Sequence, residues 1–440
     1  LSFVREYLLR LLNMKSCRPE QIANYFGFSQ HETLMAIEDL INKKWIQWSN
    51  DGVIELTPDG KTLFDKSESN TPKIPILSQQ GNHYFFELIG HNFLAEKHID
   101  RFYDLAVELN VDNEELSNCK VRAKTYFQND FIHYKEENII NINSDKDSKL
   151  YRVDLVEQLG VAYFRFTQRF ELLIPSGDQK ERPDIEGIKN SEALEQAITE
   201  EVHQSRPSNL VEIAQATHKM NDKETLKIFV DNKFNFERFL TLKTENEKKN
   251  RSFFLGQIYH QADLGDKIVQ AIGELDRKNN EPVSLVWFAP SDRYWGKQKK
   301  ILNLINLLNN ESIKKIKKQT KKLYDFRLYL PLPLEEELQR SEKHQWKHQF
   351  RNIENKRNLY GFLEGFLQGN IEVILLENEF AIICYHLILP EYDVSLPVGF
   401  FTQQLDEVVA IKRMMDTYLS QPILKESSIF ETCDFGSINN

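Results

Sequence analysis

The chain has 440 residues, of which 41% are hydrophobic and 28% are charged, and its formal net charge is −10. This length and apolar content predict two or three folded domains and exclude an intrinsically disordered chain. No apolar run approaches the roughly 18 residues that a membrane-spanning helix needs, so we expect a cytoplasmic protein with no membrane partner. The negative charge opposes non-specific attachment to nucleic acid, and any such contact must therefore be local.

The sequence does not predict a metal centre or a cofactor. The cysteines form no CxxC pair and lie far apart, at Cys17, Cys119, Cys384 and Cys433. This spacing argues against a disulfide framework and against a zinc site. His344 and His348 stand four residues apart on a predicted helix, as two metal ligands would, but no third ligand is evident and a solvated polar face is the preferred interpretation.

Residues 1 to 66 predict three helices followed by a β-hairpin. The third helix begins with Ser29 as N-cap and Glu32 three residues later, which is a capping box, and the hairpin turns at Asn50-Asp51-Gly52. This order of elements resembles the winged-helix superfamily, whose third helix usually enters the major groove of DNA. The resemblance implies DNA-contacting residues in and just after the third helix: Gln30, His31, Thr33, Lys43 and Lys44.

The charge of this first segment does not favour DNA. Residues 1 to 65 hold seven basic and nine acidic residues, and Glu32 stands among the expected base-reading side chains. A carboxylate can accept a hydrogen bond only from cytosine and otherwise repels the duplex. We therefore expect this segment to dock either on DNA or on a protein.

The remaining chain predicts a multidomain α+β protein. Residues 67–80 have the composition of a linker, and residues 81–275 predict a mixed α+β middle domain. Within it, residues 82–110 and 190–275 indicate helices, whereas residues 120–174 show the aromatic and β-branched alternation of strands.

Residues 283–425 predict an α/β domain, and residues 426–440 a tail. The order is strand, helix, strand, a long helix over residues 335–367 and a final hairpin, a pattern typical of packed α/β layers. The three glycines of the sequence GFLEGFLQG are placed in the helical pattern and are not expected to cradle a ligand.

The final hairpin, Gln368 to Leu389, resembles the phospholipase D-like fold. Active members carry H-x-K-x-x-x-x-D and then Gly-Ser, but here Asn370, Glu372 and Glu377 fall on the three motif positions and Cys384-Tyr385 on the Gly-Ser place. The resemblance implies an inactive member, because covalent catalysis does not survive loss of the nucleophile. An ordinary β-hairpin with an acidic turn is the alternative interpretation.

Basic residues concentrate between positions 297 and 322, where nine lysines lie within 26 positions. Such a cluster could neutralise several phosphates, and aromatic side chains just before it could stack on an exposed base. The alternative is a solvated helix face with Ile313, Ile316 and Leu323 turned inward. The nucleic-acid-binding residues predicted here are Arg293, Trp295, Lys297, Lys299, Lys300, Lys314, Lys315, Lys317, Lys318, Lys321 and Lys322.

We therefore predict a non-enzymatic accessory subunit that binds DNA or RNA and protein partners. A winged helix joined to a degenerate nuclease-like domain looks like accessory subunits of bacterial DNA-processing or phage-defence systems. One alternative is a pure protein-assembly subunit. Another is a metal-dependent nuclease using Glu171, Asp178 and Lys180. A transcriptional regulator is disfavoured by the acidic third helix.

Overall fold

The computed structural model divides the chain into two compact units, Leu1–His83 and Tyr84–Asn440. Among the described residues, no helix is both long and apolar enough to cross a membrane. The described residues are 2–65, 70–74, 77–96, 99–100, 104–140, 149–174, 176–182, 192–202, 207–230, 233–246, 250–278, 281–316, 319–424 and 430–439.

The first unit contains the three predicted helices and the predicted hairpin. The Ser29 hydroxyl accepts a hydrogen bond from the Glu32 amide, and the Glu32 carboxylate accepts one from the Ser29 amide, so the capping box forms. Leu8, Ile37 and Ile54 are fully buried in a core shared by helices and hairpin. The elements are α1 (Phe3–Met14), α2 (Pro19–Phe26), α3 (Gln30–Asn42), β1 (Ile46–Trp48), β2 (Ile54–Leu56) and α4 (Pro58–Thr62).

The start of the second unit differs from the prediction in two places. Where a helix is expected over residues 82–110, the described residues form short strands, and the expected strand at residues 120–128 lies inside a helix. That helix forms because Ala123, Phe127, Phe131 and Tyr134 recur at helical spacing and pack in one apolar cluster with Phe93. The elements are β3 (Phe85–Phe86), β4 (Phe93–Leu94), β5 (Ile99–Asp100), α5 (Asn113–Glu136), β6 (Tyr163–Phe164), β7 (Arg169–Leu173), β8 (Asp178–Arg182) and α6 (Glu192–Val202).

The rest of the second unit supplies a large mixed sheet and its covering helices. Short 3-10 helices at Ile258–His260, Lys356–Asn358 and Phe366–Gly369 connect larger elements. The helices are α7 (Leu210–Lys219), α8 (Lys223–Leu226), α9 (Phe236–Asn246), α10 (Ala262–Lys278), α11 (Lys300–Asn310), α12 (Glu336–Gln349) and α13 (Leu405–Ser420). The strands are β9 (Phe229–Val230), β10 (Lys233–Phe234), β11 (Arg251–Leu255), β12 (Val283–Phe288), β13 (Ile313–Ile316), β14 (Gln319–Lys322), β15 (Tyr324–Leu332), β16 (Leu359–Leu363), β17 (Ile371–Leu376), β18 (Phe380–Leu387), β19 (Leu396–Thr402), β20 (Pro422–Leu424), β21 (Phe430–Thr432) and β22 (Asp434–Ser437).

The sheet has eight strands in the order β11-β19-β18-β17-β12-β15-β16-β22. The pairs β12–β15 and β15–β16 are parallel, and the other pairs are antiparallel. Helices α10, α11 and α12 pack on one face, and α7, α9 and α13 on the other. Every residue of β17 and β18 is buried, because these central strands are covered on both faces.

In the C-terminal half, the structure differs from three further predictions. The long helix ends at Gln349, and Leu359–Leu363 is a strand in which an added Cβ at Gly361 would lie 2.4 Å from Leu332 Cδ1. Gly365 has a φ of +106°, which a helix interior does not allow. The lysine-rich segment forms the hairpin β13–β14 and not a helix. Asp434–Ser437, from the segment interpreted as a tail, is the edge strand β22.

Candidate functional sites

A group of polar side chains is enclosed in the core on the α10–α12 face of the sheet. We call Asp292, Glu372, Cys384 and His386 the His386 cluster. Glu372 on β17 lies directly opposite Cys384 on β18, and alternation along β18 puts His386 on the same face as Cys384. Asp292 follows the end of β12. Glu372 and Cys384 are 0% exposed, and His386 is 1% exposed.

The imidazole of His386 lies between two carboxylates. Its Nδ1 is 2.8 Å from Asp292 Oδ2, and its Nε2 is 3.2 Å from Glu372 Oε2. Burial alone would lower the pKa of His386, but the hydrogen bond to Asp292, followed by those to Cys384 and Glu372, raises that pKa well above its usual value. The buried imidazole therefore favours its protonated form.

Each carboxylate is fixed by further donors. Asp292 Oδ2 accepts from the Ser395 hydroxyl at 2.5 Å, and Asp292 Oδ1 accepts from the Tyr294 amide at 3.0 Å. Although burial opposes ionisation, the hydrogen bond and charge of His386, followed by these two bonds, hold the pKa of Asp292 below its usual value.

Glu372 is oriented by two tryptophans. Its Oε1 accepts from Nε1 of Trp287 and from Nε1 of Trp295, each at 2.9 Å. The two indole rings meet edge to face with centroids 5.9 Å apart. Because Oε1 is occupied in this way, Oε2 is the oxygen that faces His386.

The backbone around His386 is also held in place. Its amide donates to the Asn370 carbonyl at 2.9 Å, and the Asn209 side chain donates to the His386 carbonyl at 2.9 Å. Asn209 also accepts from the Ile388 amide at 2.7 Å. The imidazole therefore has little freedom to change its position.

A second buried polar group lies on the opposite face of β18, because Tyr385 points the other way from Cys384 and His386. Tyr385 donates its hydroxyl hydrogen to Asp222 Oδ2 at 2.8 Å. Arg251 donates to Asp222 and, at 2.9 Å, to Glu407 Oε1, while its guanidinium lies 3.6 Å from the centre of the Phe400 ring. Burial and then Asp222 raise the pKa of Tyr385. The arrangement neutralises a buried arginine between two carboxylates.

In the first unit, the structure separates the five predicted DNA-contacting residues. Gln30 and His31 are exposed at the start of α3, and Lys43 and Lys44 are exposed at its end. Thr33 is only 2% exposed and its hydroxyl donates to the Ser29 carbonyl at 2.9 Å. The prediction that Thr33 contacts bases is therefore wrong, because its side chain is buried and its hydroxyl is bonded to the helix backbone.

The residues from Arg293 to Lys300 divide into buried and exposed ones. Trp295 is 0% exposed, so the prediction that it stacks on a base is wrong. Its ring packs near Trp346 and Phe350, and its indole N–H donates to Glu372. Lys297 donates to Gln349 Oε1 at 2.7 Å, and burial lowers the pKa of Lys297.

Three other cations of this segment are exposed. Arg293 pairs with Glu201, whereas Lys299 and Lys300 are exposed where α11 begins. Helix α11 has 11 residues and so places about 16 Å between these lysines and the hairpin that follows. The predicted lysine patch is thus divided into two groups.

The hairpin β13–β14 contains the second group. Its register places Lys314 directly opposite Lys321 and Lys315 opposite Thr320. Lys322 forms an ion pair with Asp325. Lys317 and Lys318 lie outside the described residues.

The residues of the predicted nuclease lie on the hairpin β7–β8. Glu171 is directly opposite Lys180, and Asp178 is opposite Leu173. Both carboxylates are exposed. His344 is exposed on α12, and His348 is half-buried with its Nε2 3.5 Å from Arg351 Nη1.

The phospholipase D-like motif positions do not form one pocket. Glu372 is buried in the His386 cluster, whereas Glu377 accepts from the Ser284 amide at 3.3 Å at the far end of β17. Five residues of strand separate the two carboxylates by about 16 Å. Asn370 contributes its backbone carbonyl to His386.

Sequence reasoning missed Asp292 and His386. The available signal was the alternation of Cys384 and His386 on an apolar strand, with Glu372 on the neighbouring strand of the same hairpin. Comparisons of the chain with protein-family models, with curated proteins and with solved structures give no match.

Proposed function

We propose that the chain is a non-catalytic accessory subunit that binds DNA or RNA through the hairpin β13–β14 and acts with protein partners. The observation that supports this most directly is the pairing of Lys314 with Lys321. Like charges at directly opposite positions destabilise a hairpin. The segment 313–322 has six lysines and no acidic residue, so it offers a polyanionic ligand a local concentration of positive charge.

The shape of this element suits nucleic acid. The major groove of B-DNA admits a two-stranded β-ribbon as well as a helix. Lysines on such a ribbon neutralise phosphates and release counterions, which makes affinity fall steeply with salt. Lys299 and Lys300, at the other end of α11, supply a second contact to the backbone of the same ligand.

The proposed function includes an assignment for the N-terminal and the C-terminal domain. We infer that residues 1–66 form a winged helix, and that residues 283–425 form a phospholipase D-like domain without activity. The second inference is supported by Asn370 at the nucleophile position and by Glu372, which is buried beneath two indole N–H donors at the lysine position. A system for bacterial DNA processing or phage defence is the setting in which such a subunit would act.

A specific observation supports protein docking as the role of the first unit. The outward face of α3 presents Leu34, 42% exposed, and Met35, 57% exposed, next to the acidic Glu38. Apolar and acidic side chains on this face suit a protein surface better than a phosphate backbone. The corresponding alternative is an assembly subunit that makes no nucleic-acid contact.

The test is fluorescence anisotropy with single- and double-stranded DNA and RNA across a salt series. Lys314, Lys315 and Lys321 are changed together to Glu. The control changes Lys233, Lys243 and Lys347, which are exposed elsewhere, and alters the net charge equally. We expect the first variant to lose affinity and the slope of log affinity against log salt to decrease by about one per lysine.

Three results would contradict or redirect the proposal. Absence of binding by the unaltered chain at low salt, together with co-purification of a protein, would favour the assembly subunit. An equal loss in the control variant would show that only net charge matters. Magnesium-dependent cleavage that is lost in Asp178→Ala would favour the nuclease.

A further inference from the structure

Three potential metal ligands converge inside the His386 cluster. Cys384 Sγ, a ring nitrogen of His386 and a carboxylate oxygen of Glu372 all lie within 4.8 Å of one another. The 3.2 Å between His386 Nε2 and Glu372 Oε2 is close to the separation of about 3.3 Å between two ligand atoms that each lie about 2.0 Å from a tetrahedral zinc ion. The nitrogen and oxygen are therefore already placed as ligands of one ion.

The outer hydrogen bonds have the pattern of a metal site. Asp292 holds Nδ1 of His386, which directs Nε2 toward Glu372. A carboxylate in this position fixes the tautomer and orientation of metal-binding histidines. The two tryptophan N–H groups occupy Oε1 of Glu372 and leave Oε2 on the side of the imidazole.

The charges and ligand types select the ion. A thiolate and a carboxylate carry two negative charges, which a divalent cation neutralises in a core that would not tolerate them unpaired. Sulfur and imidazole nitrogen favour zinc over magnesium or calcium, which prefer oxygen ligands. The thiol proton of Cys384 and the Nε2 proton of the His386 imidazolium both leave to solvent when the sulfur and the nitrogen bind the ion.

We propose that Glu372, Cys384 and His386 bind one zinc ion, with Asp292 as a positioning residue. The three ligands come from neighbouring strands, so the ion cross-links β17 and β18. Because the ligands are buried, zinc enters while the chain folds. This site does not depend on nucleic-acid binding by the hairpin β13–β14.

The experiment uses the full chain expressed in medium supplemented with zinc or with cobalt and then dialysed against a chelating resin. We expect about one retained zinc per chain by elemental analysis, as one three-ligand site requires. The cobalt form should show the near-ultraviolet charge-transfer absorption of a thiolate ligand. Cys384→Ser should lose that absorption and the retained zinc. Cys433→Ser, which changes another buried thiol, should lose neither.

A second variant separates metal binding from stability. Asp292→Asn keeps all three ligands, and we expect it to lower zinc affinity by about 10- to 100-fold in a chelator series. An Asp292→Asn variant that melts earlier but holds zinc as tightly would overturn the positioning role. Unaltered chain without retained zinc, or a cobalt form without thiolate absorption, would overturn the site itself even if Cys384→Ser fails to fold.

Discussion

Nδ1 of His386 lies 2.8 Å from Oδ2 of Asp292, although 94 positions separate the two residues in the chain. Both side chains are almost completely buried. A buried charge that loses its partner is not rescued by solvent, so each residue depends on the other. The contact fixes the loop after β12 to the central strand β18.

Replacing Asp292 by Ala should therefore destabilise the metal-free chain strongly. We expect the free energy of unfolding to fall by about 3–5 kcal/mol, the usual effect of breaking a buried ion pair. Denaturant titration in the presence of a chelator measures this. Asp266→Ala, on the exposed face of α10, should change stability by less than about 0.5 kcal/mol. Equal effects of the two substitutions would show that the pair contributes nothing.

The same pair predicts how the stability of the metal-free chain depends on pH. The raised pKa of His386 means that its contribution is complete below the unfolded value of about 6.5 and is lost as pH rises through the folded pKa. The lowered pKa of Asp292 means that its contribution is present above about 3.9 and is lost as pH falls through the folded pKa. The contribution of the pair is therefore greatest between about pH 4 and pH 6.5.

This pH dependence is measured by comparing the unaltered chain with His386→Gln. The difference in unfolding free energy should be larger at about pH 5 than at about pH 9. Burial raises the pKa of Cys384 to about 11, so its thiol stays neutral over most of this range. A difference that grows as pH rises would contradict the assignment of His386 as a protonated imidazole.

The hydrogen bond from Tyr385 to Asp222, on the other face of β18, leads to a separate prediction. Tyr385→Phe removes the donor to Asp222 and leaves that buried carboxylate with Arg251 and the Thr225 amide. We expect a loss of about 1–3 kcal/mol in unfolding free energy, because a buried hydrogen bond to a charged group is removed. Tyr151→Phe, at a 75% exposed tyrosine, is the control in the same titration. A loss below about 0.5 kcal/mol in Tyr385→Phe would mean that Asp222 finds another donor.

The elements with local signals could be predicted from the sequence. The Ser29 and Glu32 capping box and the Asn50-Asp51-Gly52 turn are short-range patterns, and the structure places α3 and the β1–β2 hairpin where they indicate. The sequence predicts a strand within the range of α5, because Tyr126 and Phe127 suit strands as well as helices. Only packing on Phe93 decides in favour of the helix.

The polar cluster could be predicted only in part. Glu372, Cys384 and His386 share one hairpin, and strand alternation suffices to place them on one face. Asp292, Trp287 and Trp295 reach the cluster through strand β12, whose position next to β17 is a tertiary contact. No sequence spacing encodes that contact, so the sequence alone does not distinguish a buried Trp295 from an exposed one.

Lys297 and Lys300 should behave differently although they are three residues apart. Lys297→Gln removes the bond to the buried Gln349, and we expect stability to fall by about 1–3 kcal/mol. Lys300→Gln changes an exposed residue and should cost less than about 0.5 kcal/mol. The nucleic-acid affinity should show the reverse order: Lys300→Gln should bind nucleic acid more weakly than Lys297→Gln. Thermal melting measures the stability of the two variants, and fluorescence anisotropy measures their nucleic-acid affinity. Equal stability or equal affinity of the two variants would contradict the prediction.

Trp295 separates a structural role from a binding role most clearly. Trp295→Phe removes one of the two N–H donors to Glu372 Oε1 and leaves the bond from Trp287. We expect the unfolding free energy to fall by about 1–3 kcal/mol, because a buried carboxylate loses a partner and the smaller ring fills less space. Affinity for single-stranded DNA should be unchanged, since the ring is enclosed by the core. Trp48→Phe, at a 49% exposed tryptophan, should leave stability nearly unchanged. A Trp295→Phe variant with normal stability and weakened DNA binding would restore the stacking role that burial argues against.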